Sequence, residues 1–256
     1  MMQRLACLSI SDPNHLDGFL EAHGNLVDLA DGYGGGGWGL GFWRSGEMLT
    51  RKTPIGPKLD ARSLIRDSRA RQCLVIADCD AKLRSSRTTM QPLRFRDWVF
   101  GVTGHHTTTE EFAPRARAAL LGFGKTEPTV PGLMMTTMMH ALHRANLLDR
   151  RPLNPSAYYG PIAEGADRIR QYCGPAASEL SVAFVLHIKG LFFLGSLGRP
   201  LYAYRVAQHQ TRFSKRVTWS GVVVRDEASP THEEELVTQQ GLHVDDMGGV
   251  SSFCLN

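Results

Sequence analysis

A chain of 256 residues with 42% apolar and 21% charged residues, and a mean hydropathy of −0.21, has the composition of an ordinary folded protein, which excludes the disordered and fibrous classes. At roughly 100–200 residues per domain it holds one large domain or two small ones. The net charge of +4 hides an uneven layout: residues 44–96 carry thirteen Lys or Arg against five Asp or Glu, whereas residues 225–246 carry seven acids against one Arg.

Gln3 to Ile10 alternates around Leu5, Cys7 and Ser9 and stops at the turn sequence Ser11-Asp12-Pro13-Asn14, which predicts an N-terminal strand. A short helix-like segment, Leu16 to His23, follows. The glycine-rich run from Gly32-Tyr33-Gly34 to Gly41-Phe42-Trp43 marks a ligand-cradling loop or a tight strand entry, since glycine permits close backbone approach and positive φ. It is not a Walker loop, because no Gly-Lys-Ser/Thr follows, nor a dinucleotide fingerprint, because no strand–turn–helix order surrounds it. Residues 42–50 then predict a strand and turn. Arg62, Arg66 and Arg69 stand at helical spacing among Leu59, Leu64 and Ile65, the pattern of a solvated helix face.

Residues 73–78 and 98–103 read as covered strands with a basic, irregular stretch over 80–96 between them. Helices are expected over 114–122 and 132–148, and Met134, Met135, Met138 and Met139 of the second read as core packing. Residues 182–188 and 191–195 are strands flanking a Lys189-Gly190 break, residues 200–206 are expected to pair back across Gly198, and residues 221–224 add another strand. Many antiparallel strands with helices collected mid-chain argue for α+β layering.

The longest apolar run, residues 180–197, is broken by His187, Lys189 and Gly190, short of the roughly 18–20 residues a bilayer span needs. The N-terminal sequence lacks the long apolar region of a secretory signal, and the five cysteines, Cys7, Cys73, Cys79, Cys173 and Cys254, form no C-x-x-C pair. A cytoplasmic protein without disulfides or zinc is therefore expected. His105 and His106, with Asp78, Cys79 and Asp80, are metal-ligand types, but adjacent strand residues face opposite ways. His140 and His143 stand at the edge of the methionine stripe. Neither set points to a metal, and no cofactor motif is present.

Gln3-Arg4-Leu5-Ala6-Cys7-Leu8 followed by Gly36-Gly37-Trp38-Gly39-Leu40-Gly41-Phe42 resembles the opening Met-Cys-Arg-Leu-Leu-Gly and Asp-Gly-Trp-Gly motifs of class II glutamine amidotransferases. Within them it is most similar to the small stand-alone branch related to the ergothioneine-pathway amidohydrolase. In the same order, Ile76-Ala77-Asp78 resembles the strand before the family's arginine motif, Val102-Thr103-Gly104 its His-Asn-Gly, and Gly124-Lys125-Thr126-Glu127 its Gly-Glu-Thr-Asp. The strand pair around Lys189-Gly190, the sequence Leu201-Tyr202-Ala203-Tyr204-Arg205 and Val222-Val223-Val224 are similar to its closing strands. The resemblance spans residues 2–226.

It implies an N-terminal-nucleophile αββα sandwich over 1–226, with 227–256 as an acidic segment packed on the domain, docked on a partner or solvated as a tail. In the family a cysteine thiolate attacks the glutamine amide, an Asn side chain and a Gly N–H hold the oxyanion, and an Arg and an Asp clamp the substrate's charged ends. Here Gln3 stands at the nucleophile position, Asp78 and Asp80 where His and the substrate-binding Arg belong, and Thr103 with Gly104 where the oxyanion Asn-Gly belongs. Gly37 replaces the Asp of the glycine motif and Glu127 falls in the last motif. An amide neither ionises near neutral pH nor attacks a carbonyl. These departures imply a degenerate, catalytically silent member acting by binding, either to a protein partner or second copy, or to a small amine-bearing ligand beside Asp78, Asp80 and Glu127. Two other readings stand beside it: a hydrolase using Cys7 after trimming, or Thr103; and nucleic-acid binding through the basic residues of 44–96.

Overall fold

The structure, a computed structural model, describes residues 3–29, 37–53, 60–78, 90–105, 109–123, 129–150, 152–212, 215–226, 235–237, 240–245, 247 and 249–255. In chain order the first half forms β1 (Gln3–Ile10), α1 (Leu16–His23), β2 (Trp38–Arg44), β3 (Glu47–Thr53), α2 (Ala61–Ser68), β4 (Gln72–Asp78), β5 (Leu93–Phe95) and β6 (Trp98–His105). The helices α3 (Thr109–Ala119), α4 (Val130–Arg144) and α5 (Tyr159–Cys173) follow. The chain ends in β7 (Ser181–Ile188), β8 (Leu191–Leu197), β9 (Leu201–Arg212), β10 (Lys215–Arg225), β11 (Glu235–Val237), β12 (Gln240–Val244) and β13 (Val250–Cys254).

These strands make two antiparallel sheets, one ordered β11-β9-β10-β1-β4-β2-β3 and the other β13-β12-β8-β7-β6-β5. Three apolar layers hold them. On the outer face of the first sheet, Ala6, Leu8 and Ile10 pack with Phe19 and Leu20 of α1 and Leu64 and Ile65 of α2. Between the sheets, Leu5, Cys7, Leu74 and Ile76 meet Val99, Val185 and Leu194. On the outer face of the second, Phe100, Phe184 and Leu186 pack with Met134 and Met138 of α4 and Ile162 and Ile169 of α5. The result is the helix–sheet–sheet–helix sandwich of the N-terminal-nucleophile type that the sequence led us to expect. Because β4 is covered on both sides, it reads as a nearly continuous apolar run rather than a simple alternation.

Local chemistry sets the helix ends. Asp60 caps α2 by accepting from the Ser63 N–H at 3.0 Å, and the Ser63 hydroxyl, then that N–H, hold its carboxyl below the ordinary range; Thr129 caps α4 by accepting from the Gly132 N–H at 3.2 Å. Arg69 closes α2 in the left-handed region (φ 48°), so it lies past the helix rather than on its face with Arg62 and Arg66. Those two are also not merely solvated: Arg62 pairs with Asp28 and Arg66 with Asp17.

Several expectations need correction. Residues 93–95 of the stretch read as irregular form β5, and α3 begins at Thr109, so Pro114 lies inside it. α5 is an addition to the expected helices: its Gly160, Pro161 and Gly165 are poor helix formers, and a Cβ at Gly165 would sit 2.5 Å from Met138 Sδ, so the glycine lets α4 and α5 cross closely. Residues 200–206 do not fold back on β8. The chain changes sheets after Gly198 (φ 87°), and β9 joins β10 and β11 while β8 pairs with β7 and β12. The C-terminal segment is not a solvated tail over its described residues, because β11 joins the first sheet and β12 and β13 the second. Among the described residues no helix is long and apolar enough to cross a membrane.

A buried polar thread ties the sheets together at one end. His187 Nε2 lies 3.2 Å from Gln72 Oε1, and the Gln72 amide donates to Ser9 Oγ at 3.1 Å and to the Asp245 carbonyl at 2.9 Å. Burial pulls the His187 pKa down to about 3, and its Nδ1 has no partner. The folded protein therefore keeps this imidazole neutral while the unfolded chain protonates it near pH 6.5, so stability is complete above that pH and is lost as pH falls from 6.5 toward 3. Urea unfolding at pH 7 and pH 5 should show a drop in midpoint for the native sequence and a smaller drop for His187→Gln; equal drops would remove His187 as the cause.

Candidate functional site

Strand register brings several of the expected positions to one end of the sandwich. Gln3, the first residue of β1, is the antiparallel partner of Asp78, the last residue of β4. On the other side of β4, Trp38 pairs with Ala77, so buried Gly37 enters β2 beside the same strand end. In the facing sheet, a Cβ at Gly101 would come within 2.3 Å of Ile76 Cδ1, so the bare glycine lets β6 approach β4 closely. Two residues further along β6, Thr103 is fully buried and pairs with Ala183 of the inter-sheet layer. Gly104 follows at φ 122°, where a Cβ would meet the Ser181 carbonyl oxygen at 2.0 Å, so only glycine fits. Asp80, Glu127, Cys79 and His106 lie outside the described residues, as do the side chains of Gln3, Asp78 and His105.

Two clasps that no sequence pattern signals hold this end in place. Gln91 accepts the Val102 N–H through Oε1 at 2.6 Å and donates from Nε2 to the Val102 carbonyl at 2.7 Å, extending the β5–β6 ladder with a side chain and fixing the residue before Thr103. Asp226 accepts the Leu5 N–H through Oδ1 at 2.9 Å, while its Oδ2 takes Arg199 Nε at 3.1 Å and Nη2 at 2.9 Å. That carboxylate is 1% exposed, so it anchors β1 two residues from Gln3 by a buried charge-assisted pair.

The remaining chemical groups do not converge here. Cys7 is buried in mid-strand between Leu74 and Val224, roughly 13 Å of strand from Gln3, and burial, with Asp226 and then Cys73 adding to it, pushes its thiol well above the ordinary range. Cys73 and Cys173 are buried too, and Cys254 is exposed. His140 and His143 pack on Phe123 at ring distances of 4.9 and 5.4 Å, and burial, then Arg168, lowers the His140 pKa. Among the described residues no group of three His, Cys, Asp or Glu could hold a metal ion. Thr103 Oγ1 is buried with no hydrogen-bond partner among the described residues.

No family model matches the chain, and no curated protein matches it in sequence. Its fold is shared with several solved structures. A glutamine aminotransferase class-II domain protein from Silicibacter pomeroyi is 12% identical with a TM-score of 0.57, each chain covered over 99% of its length. A predicted glutamine amidotransferase from Pseudomonas aeruginosa is 10% identical with a TM-score of 0.51, covering 98% of this chain and 95% of the other. The glutamine phosphoribosylpyrophosphate amidotransferase of B. subtilis is 12% identical with a TM-score of 0.58; 99% of this chain corresponds to 49% of that one. The architecture is thus class II glutamine amidotransferase-like.

Two substitutions test the geometry. Asp226→Ala leaves the Leu5 N–H and the Arg199 guanidinium without their acceptor and should lower stability by about 3–5 kcal/mol, read from urea unfolding. Thr103→Val removes an unsatisfied buried hydroxyl at nearly constant volume and should raise stability by about 1–3 kcal/mol in the same assay.

Proposed function

We propose that this protein is a binding member of the class II glutamine amidotransferase-like fold that does not hydrolyse glutamine. The observation that carries the reading is the identity of residue 3: an amide at the first position of β1, the strand end beside which Asp78, Gly37, Thr103 and Gly104 assemble. The resemblance expects a thiolate there, and glutamine has neither an ionisable proton near pH 7 nor a nucleophilic atom. The second loss is electrostatic. Where the family binds a carboxylate with arginine, this chain has Asp78 and Asp80, which repel a carboxylate and favour an amine. A small amine-bearing ligand suits such a pocket, and a protein partner or second copy is the other occupant. Cytoplasmic residence agrees with the free cysteines.

The hydrolase alternative is weaker. Trimming to Cys7 would delete Gln3 to Ala6, four of the seven β1 residues that pair with β4, and the Leu5 N–H that Asp226 holds. Thr103 Oγ1 touches no general base among the described residues, as an activated hydroxyl would. Nucleic-acid binding through residues 44–96 loses force because Arg62, Arg66 and Arg96 are each paired with a carboxylate.

Purified full-length protein should release no ammonia from glutamine or γ-glutamyl compounds above the level of the Cys7→Ser variant, and its intact mass should include Gln3. Ammonia release that Cys7→Ser or Thr103→Val abolishes would overturn the reading.

A further inference from the structure

The end of the sandwich opposite Gln3 carries a concavity. Ser9 and Gln72 pair across β1 and β4 just as Gln3 and Asp78 do, but six residues further along, roughly 20 Å of strand. Beside Gln72 opens a cleft of about 320 Å³ lined by Trp43, Arg44, Arg69, Arg71, Gln72 and Lys189, with no carboxylate in its wall.

Three separate parts of the chain deliver its four cations: Arg44 from the end of β2, Arg69 and Arg71 from the α2–β4 link, and Lys189 from the β7–β8 turn. Arg44 donates weakly to the Ser68 carbonyl at 3.5 Å, and Lys189 pairs with Asp97 at 2.6 Å, a residue outside the lining. The exposed guanidinium groups of Arg69 and Arg71 have no hydrogen bond or ion pair among the described residues. Arg69 (φ 48°) and Lys189 (φ 39°) occupy left-handed turn positions where glycine fits without penalty, so at two rims the chain keeps a long cation against local preference. The floor is rigid, since the Gln72 side chain is fixed by His187, Ser9 and the Asp245 carbonyl. Half-buried Trp43 supplies a flat apolar wall.

We propose that this cleft binds the diphosphate group of a small molecule. Two unengaged planar forks with two further cations exceed what one carboxylate can neutralise, whereas adjacent phosphates offer enough charge and acceptor oxygens for bidentate contacts with both arginines. The cleft volume is at the small end of ligand sites, which fits a compact anion or one carrying a single ring against Trp43.

Titration of the full-length protein with inorganic pyrophosphate and with uridine diphosphate, followed by calorimetry and tryptophan fluorescence at 150 mM KCl, about physiological ionic strength, tests this. We expect one saturable site, weakened about tenfold or more by Arg69→Gln and by Arg71→Gln, with melting temperatures unchanged because both side chains are exposed. Uridine diphosphate binding more tightly than pyrophosphate, with Trp43→Leu erasing only that difference, assigns a ring-bearing ligand; equal affinities assign free diphosphate. The absence of saturable binding, binding undiminished in the double arginine variant, or equal displacement by the same concentration of sulfate overturns the proposal.

Discussion

The structure depends on β1 being buried on both faces at a single register. Leu5 and Cys7 face the second sheet, while Ala6, Leu8 and Ile10 face the helices α1 and α2. A slip of one residue would exchange the two sets and put each into a layer packed for the other. The buried pair of Asp226 and Arg199 enforces that register from outside the ladder by holding the Leu5 N–H. Every strand-end juxtaposition at the candidate site follows from it, beginning with Gln3 opposite Asp78.

With the middle of the sandwich sealed by hydrocarbon, polar chemistry is confined to its two ends. One end gathers Gln3, Asp78, Thr103 and Gly104; the other gathers Ser9, Gln72 and His187. Cys7 lies in the sealed middle, and desolvation keeps its sulfur protonated and shielded. Position along the strand thus decides which side chains can meet a solute, and the sulfur of Cys7 lies where none reaches it.

Much of this was legible in the sequence where a signal is local. Alternation announced β1, apolar runs announced β4, β6, β7 and β8, and the order of weak motifs announced the layered fold. Signals failed where a remote partner decides. Gly198 looks the same whether a strand folds back or crosses to another sheet, and α5 exists because Gly165 nestles against Met138 despite a weak helical sequence. Gln91 and Asp226 act on residues 11 and 221 positions away, beyond any pattern. The basic cleft was equally hidden, because Arg71 and Lys189 come together only when the two sheets stack.

The last described residues close the edges of both sheets, β11 along β9 and β12 along β8. A fragment ending at residue 226 would still contain most of the hydrophobic layers, yet it would present two bare rows of amide and carbonyl groups, one per sheet. Such edges recruit any extended chain, including another copy of themselves. The short β11 and β13 therefore stand where the longer β9 and β8 would otherwise be exposed, which leaves an incoming chain fewer groups to pair with.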